Sequence, residues 1–222
     1  MKCRGYKCPQ LVEPKWRRNN DSGEQSNLDL QIKWPQDSAD VERALDGALQ
    51  GIFSNNGQQC LAGSRILVER SMFDEFTARF AERAKRIKVG DPLDDATEVG
   101  PLASAPHMNR VLSFANMARE DGGSVLTGGT RRDDLGGGYF IEPTAVLATS
   151  NADRCAQEEI FGPILPVITF ENNSDVIELF QKMPSPLAIY IMSSNKKNIK
   201  YFMDNTVSGG VCINELMLTV VN

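Results

Sequence analysis

The chain has 222 residues, 41% of them hydrophobic and 24% charged, which is typical of a globular protein long enough to bury a full core. Its formal net charge of −5 argues against nucleic acid or an anionic membrane as the main partner, because a polyanion needs a clustered positive face. The length favours one domain, or one and a fraction.

Residues 1–36 mix polar and basic residues with isolated apolar ones and show neither helical nor strand periodicity for more than a few positions. We therefore interpret them as an irregular or disordered leader. The leader is basic, but it has no apolar run for a signal peptide and no amphipathic pattern of a transit peptide. No segment of the chain approaches transmembrane length. These features predict a cytoplasmic protein.

The five cysteines are odd in number and widely scattered, which favours reduced thiols over a disulfide framework: Cys3, Cys8, Cys60, Cys155 and Cys212. The first two could form half of a zinc site. However, His107 is the only histidine and there is no second close pair of cysteines, so we expect no metal.

Helical periodicity begins after the candidate N-caps Asp37 and Ser38. Apolar residues then recur at the spacing of one helix face: Val41, Ala44, Leu45, Ala48, Leu49, Ile52 and Phe53. This helix should end at Asn56-Gly57, since glycine adopts the left-handed conformation without steric cost. The pattern places Cys60 just beyond a helix terminus.

Short apolar strands and amphipathic helices alternate through the rest of the chain. Strands are predicted at 65–68, 124–127, 140–141, 145–147, 164–169, 187–192 and 210–213. Helices are predicted after Ser71, around Met108–Ala115, at 175–182 and at 196–204. This alternation predicts an α/β fold of three layers, with a largely parallel sheet and helices on both faces.

Two blocks about a hundred residues apart carry the chemical signal. Residues 53–65 read FSNNGQQCLAGSR, and residues 158–163 read EEIFGP. The first resembles the active-site signature of the aldehyde dehydrogenase superfamily, and the second resembles its cofactor-contacting motif. Segments 89–93, 99–102 and 138–144 are also similar to the family's connecting segments. The resemblance makes residues 37–222 a partial aldehyde dehydrogenase catalytic domain.

That resemblance implies a mechanism. Cys60 would attack an aldehyde carbonyl to form a thiohemiacetal, hydride would pass to NAD or NADP, and the resulting thioester would be hydrolysed to a carboxylic acid. Glu159 would bond the nicotinamide ribose and Phe161 would pack against the nicotinamide. Taken without the resemblance, a lone cysteine is more often a small buried hydrophobe, and Glu159 would be a solvated charge. Arg65 is predicted to be a structural ion-pair partner, and Cys155 and Cys212 to be passive.

Several parts of the family's pattern are not found. The general base of the family lies in a Glu-Leu-Gly-Gly-Lys segment before the nucleophile, and the register position here is Ser26. Glu24 is the nearest carboxylate, but it lacks the two glycines and receives no role. The oxyanion asparagine, the cofactor lysine, the dinucleotide-binding strand-turn-helix and the arms through which the family forms homo-oligomers are also unmatched. We therefore expect an incomplete enzyme with little turnover alone. The alternative is a catalytically silent fragment or interaction module.

Overall fold

The structure is a computed structural model, and it describes residues 29–32, 38–182 and 187–216. The helices are α1 Ser38–Phe53, α2 Phe73–Ala84, α3 Ala105–Glu120, α4 Arg154–Gln157, α5 Asn173–Gln181 and α6 Lys196–Asn205. The strands are β1 Asp29–Ile32, β2 Arg65–Glu69, β3 Ser124–Thr127, β4 Thr144–Leu147, β5 Ile164–Phe170, β6 Ala188–Met192 and β7 Gly210–Ile213. None of these helices is long and apolar enough to cross a membrane.

The described strands form one sheet in the order β3-β4-β5-β2-β1-β6-β7. Every neighbouring pair is parallel except β3 and β4, which are antiparallel. Because each internal strand is covered on both faces, β2, β5 and β6 read as nearly continuous apolar runs. The predicted α/β fold with a largely parallel sheet is confirmed.

Two hydrophobic clusters lie on opposite faces of the sheet. In β2, Ile66 and Val68 belong to the cluster with α1 and α2, whereas Leu67 belongs to the cluster with α3, α4, α5 and α6. This alternation follows from the period of two in a strand, which sends successive side chains to opposite faces. The helices therefore cover both faces, as the sequence predicts.

The residues at helix starts explain why two of the helices begin where they do. The Ser104 hydroxyl accepts the His107 backbone N–H at the start of α3, and Pro106 occupies the first turn, where a missing N–H has no cost. Asn172 and Asp175 form a capping box at the start of α5. The start of α3 matters more for function, because that helix lies against the candidate site.

Two predictions of local structure are wrong. Residues 140–141 do not form a strand; Ile141 makes only an isolated bridge with Arg131. The leader is not irregular throughout, because Asp29–Ile32 forms β1 in the middle of the sheet, parallel to β2 and β6. Asp29–Ile32 alternates polar and apolar residues, but four residues are too short a pattern to distinguish a strand within a polar leader, and their hydrogen bonds come from distant strands. The other leader residues lie outside the described part of the chain.

Candidate active site

The two chemical blocks meet because each precedes one of two adjacent parallel strands. β2 follows the Cys60 block and β5 follows the second block, and the two strands pair in parallel with Ile66 opposite Val167. The amino ends of parallel neighbours lie at the same edge of a sheet. Residues a hundred positions apart are therefore brought to one place by sheet topology.

A turn with left-handed backbone conformation places Cys60 at that edge of the sheet. After α1 ends, Asn55, Asn56 and Gly57 have φ angles of 49°, 59° and 67°. Asparagine and glycine are the residues that tolerate this region best. The chain then folds back, with the Gly63 N–H donating to the Gly51 carbonyl at 2.8 Å. The predicted helix stop is confirmed, and Cys60 lies exposed in the turn.

Two side chains of the signature hold the turn in place. The Asn56 side chain accepts the Gly100 N–H at 3.0 Å and donates to the Pro101 carbonyl at 2.9 Å. Gln58 Oε1 accepts the Ala103 N–H at 3.2 Å. The signature amides thus bind the backbone of the segment that leads into α3.

The second block runs from α4 to β5 and lies against the turn. A narrow cleft is lined by Cys60, Glu159 and Phe161, together with five smaller or polar neighbours: Gly57, Gln59, Ala62, Ser64 and Gly162. A Cβ atom on Gly57 would lie 2.5 Å from the Gly162 carbonyl oxygen, so the two backbones are in direct contact. Phe161 is 38% exposed and has a φ of 55°. The three predicted site residues are therefore neighbours around one cleft.

The described thiols differ in environment. Cys60 is exposed, whereas Cys155 is buried and Cys212 is half-buried. Burial, reinforced by the negative charges of Asp153 and Asp121, raises the pKa of the Cys155 thiol to about 11. Burial and the charge of Glu215 also raise the pKa of Cys212. A raised pKa lowers the thiolate fraction at neutral pH, which fits passive roles for these two residues. Cys3 and Cys8 lie outside the described residues.

Arg65 connects the first block, inside the protein, to the chain around α4, just before the second block. It is 3% exposed, and its Nη1 donates to Asn151 Oδ1 at 2.9 Å and to the Ala156 carbonyl. Asn151 in turn donates to the Leu179 carbonyl of α5 at 3.2 Å. These contacts agree with a structural role, and both acceptors of Nη1 are neutral groups, an amide and a carbonyl.

Sequence reasoning missed two residues of α3 that hold the second block. His107 Nε2 lies 2.8 Å from the Phe161 carbonyl oxygen, and Arg110 donates to the carbonyls of Glu159 and Ile160. The only available signal was their spacing of three on one helix face. Many surface helices share that spacing.

Ser26 and Glu24, the positions considered for the general base, lie outside the described residues. Within the described ranges, no group of three or more His, Cys, Asp or Glu side chains could hold a metal ion.

Comparison with known proteins gives one consistent result. A sequence model of the aldehyde dehydrogenase family matches residues 36–221. The chain is 39% identical over 183 residues to 5-carboxymethyl-2-hydroxymuconate semialdehyde dehydrogenase of Escherichia coli, covering 80% of this chain and 39% of that protein. It is 41% identical over 180 residues to betaine aldehyde dehydrogenase of Bacillus subtilis, covering 80% and 36%.

Comparison with solved structures points to the same family. Betaine aldehyde dehydrogenase of Staphylococcus aureus in complex with NAD⁺ superposes with a TM-score of 0.80 at 36% identity, covering 88% of this chain and 39% of that one. The chain thus spans about two-fifths of the length of the relatives that it matches.

Proposed function

This chain belongs to the aldehyde dehydrogenase family, and from that premise we propose that Cys60 is the nucleophile for NAD(P)-dependent oxidation of an aldehyde to a carboxylic acid. The observation that carries the proposal is the position of Cys60. Its thiol is exposed at a cleft that Glu159 and Phe161 also line. The described cysteines elsewhere are less accessible and have raised pKa values.

The chemistry follows from a thiolate at that position. The Cys60 sulfur bonds the aldehyde carbon, and the carbonyl oxygen becomes the oxyanion of a thiohemiacetal that needs hydrogen-bond donors nearby. Loss of hydride from that carbon re-forms the carbonyl as a thioester on Cys60. Water then adds to the thioester and the carbon–sulfur bond breaks. The carboxylic acid leaves, and the Cys60 thiol is regenerated. A bound nicotinamide supplies the acceptor for the hydride.

The described residues support contacts with one end of NAD(P) only. Glu159 and Phe161 line the Cys60 cleft, where they would hold the nicotinamide and its ribose. A pyrophosphate needs a glycine-containing strand-to-helix turn with free N–H groups. The described junctions contain no glycine: 70–72 between β2 and α2, 148–153 between β4 and α4, 171–172 between β5 and α5, and 193–195 between β6 and α6. We therefore assign only the nicotinamide end.

Support for the remaining features is coarser. The family favours a small aldehyde as the substrate, and a net charge of −5 argues against nucleic acid or an anionic membrane as the main partner. By analogy with the family, we extend the proposal to a cytoplasmic location and to assembly as a homo-oligomer. Size-exclusion chromatography with light scattering measures the assembly directly.

Capture of an acyl group tests the nucleophile without any cofactor. The chain is mixed with p-nitrophenyl acetate, and nitrophenolate release and intact mass are followed together. We expect one acetyl group per chain on Cys60, because a thiolate displaces nitrophenolate to form a thioester. Cys60→Ser should lose the burst, and Cys212→Ser should keep it. Acetylation mapped to Cys212 or Cys155, or an unchanged burst in Cys60→Ser, would overturn the proposal.

Reduction of the cofactor tests the complete reaction. With aldehyde and NAD or NADP, we expect turnover far below that of a full enzyme, because positioning of the two reactants can account for about 7–11 kcal/mol of a barrier. Absorbance of the reduced cofactor measures this, and a thermal-shift titration measures binding, since a ligand of the native state raises its stability. Absent turnover and binding alongside intact acyl capture favour the alternative, a silent fragment or interaction module. Fast turnover that disappears in Cys60→Ser would refute the expected low activity.

A further inference from the structure

The segment that bears Glu159 and Phe161 is held from outside by one face of α3. Arg110 Nη2 donates to the Glu159 carbonyl at 2.7 Å, and Arg110 Nη1 donates to the Ile160 carbonyl at 3.0 Å. His107 Nε2 donates to the Phe161 carbonyl at 2.8 Å. Two side chains one helical turn apart therefore bind three consecutive carbonyl groups.

The backbone of this segment needs such an external hold. Phe161 has a φ of 55°, a conformation that a bulky L-residue rarely adopts unless its surroundings impose it. The next residue, Gly162, packs so closely on α3 that an added Cβ would lie 2.7 Å from the Val111 side chain. The orientation of Phe161 at the cleft thus depends on contacts with α3.

The same part of the chain also holds the nucleophile turn. Asn56 is bound by Gly100 and Pro101, and Gln58 is bound by Ala103, just before α3 begins. Residues 100–111 therefore contact both halves of the cleft. The separation between Cys60 and Phe161 is set through this one unit.

We propose that Arg110, assisted by His107, is a positioning residue that fixes Glu159 and Phe161 relative to Cys60. Its guanidinium is suited to the task, since its planar donors reach two carbonyls at once. The inference rests on the proposed function for its catalytic meaning, but the contact itself can be tested without turnover.

Arg110→Met is the main test variant, and Arg119→Met is its matched control. Methionine keeps the aliphatic stem and removes every donor, together with the guanidinium that lies over the Phe114 ring, 5.0 Å from its centroid. Arg119 is on the same helix, and its side chain bonds Asn116 Oδ1 at 2.9 Å and the Ala115 carbonyl, both within α3. Hydrogen exchange measured by mass spectrometry reports local opening of residues 158–163.

We expect Arg110→Met to speed exchange in 158–163 about tenfold and to change Cys60 alkylation by a maleimide several-fold. Exchange in β2 and β5, and the protection of Cys155, should stay as in the parent chain. Arg110→Lys should recover part of the protection, because an ammonium reaches one carbonyl at a time. Arg119→Met should match the parent in every measurement.

Identical behaviour of Arg110→Met and Arg119→Met would overturn the proposal, and so would equal acceleration in β2, β5 and 158–163. Should Arg110→Met fail to fold, His107→Ala takes its place, because it releases only the Phe161 carbonyl. It should speed exchange in the same segment by a smaller factor, and no change would overturn the proposal. Failed acetyl capture by the parent chain would sink the proposed function and leave the exchange result standing.

Discussion

The Cys60 turn, residues 56–64, and the segment 158–163 reach the same edge of the sheet, yet they are held by opposite means. The turn is anchored through its own side chains, since those of Asn56 and Gln58 bind the backbone of residues 100–103. The segment 158–163 is held by side chains of α3, which donate hydrogen bonds to its backbone carbonyls.

The difference explains where in the sequence the residues that hold each loop are found. A loop whose own side chains make the contacts must keep those residue types at fixed spacing, so it carries a readable signature. A loop held through its carbonyls places no such demand on its own side chains. The residues that hold it belong to a distant helix, where they resemble ordinary surface charges.

Gly57→Ala should break the contact between the two loops and have the largest effect on stability. The left-handed φ of 67° disfavours any Cβ, and that Cβ would lie 2.5 Å from the Gly162 oxygen and 2.9 Å from the Ile52 oxygen. Strain and overpacking together should cost about 3 kcal/mol of unfolding free energy, measured by urea denaturation.

Gly122→Ala is the control for the backbone strain alone. Gly122 also has a positive φ, 89°, but the nearest atom to an added Cβ is a methyl group at 4.0 Å. Its loss should be about 1 kcal/mol. Equal losses in the two variants would show that the close approach of the loops contributes nothing.

Arg65→Met tests the buried connection between the first block and the chain around α4, and it should rank second. The change leaves the Asn151 amide oxygen and the Ala156 carbonyl without their donor in a buried site. An unsatisfied buried acceptor costs about 1–3 kcal/mol, so we expect a loss of about 2–3 kcal/mol in the same assay. Arg70→Met, which removes an exposed 3.2 Å pair with Glu171, should cost under about 0.5 kcal/mol. Similar losses for both arginines would contradict the role given to Arg65.

Most of the fold could be predicted because its signals are local. The α1 stripe and the apolar runs of β5 and β6 carry their own periodicity. Strand β1 was not predicted although its sequence, Asp-Leu-Gln-Ile, alternates polar and apolar residues, because four positions are a short signal and its pairing partners, β2 and β6, are distant in the chain. Pairing with distant strands decides its structure, and that information is not local.

The candidate site also has residues that could be assigned from the sequence and residues that could not. Cys60, Glu159 and Phe161 were assigned from two motifs, and the structure brings them to one cleft. Their roles in catalysis and cofactor binding stay predictions. His107 and Arg110 could not be assigned, because their targets are backbone carbonyls of a segment fifty residues away. Backbone groups are the same in every residue, so they leave no trace in the sequence.

The buried thiol of Cys155 gives a prediction on how stability depends on pH. Burial raises the pKa of Cys155 to about 11, above its ordinary value of 9.0, so the folded state holds this proton more tightly than the unfolded state. The stability it contributes is complete below pH 9 and is lost as pH rises toward 11. Relative to Cys155→Ala, the parent chain should lose about 1–2 kcal/mol across that window in urea denaturation. Parallel pH profiles would contradict a buried, protonated Cys155.

Asp121→Asn should have the smallest effect, because it weakens a partly exposed contact to the start of α4, which precedes residues 158–163. Arg154, the first residue of α4, donates to Asp121 at 3.0 Å, and this hydrogen bond holds the pKa of that carboxyl below its usual range. A lowered pKa contributes stability above the ordinary value of 3.8, and this contribution is lost as pH falls below it.

The Asp121→Asn variant should therefore be slightly less stable than the parent chain at neutral pH, and the difference should shrink as pH falls through the lowered pKa and as salt is added. Asp134→Asn, which disrupts a 2.7 Å pair with Arg132, is the matched control far from the segment. Exchange in residues 158–163 should be unchanged in both variants, because His107 and Arg110 still bind the three carbonyls. Acceleration in Asp121→Asn as large as that in Arg110→Met would mean that the segment is positioned from α4 rather than from α3.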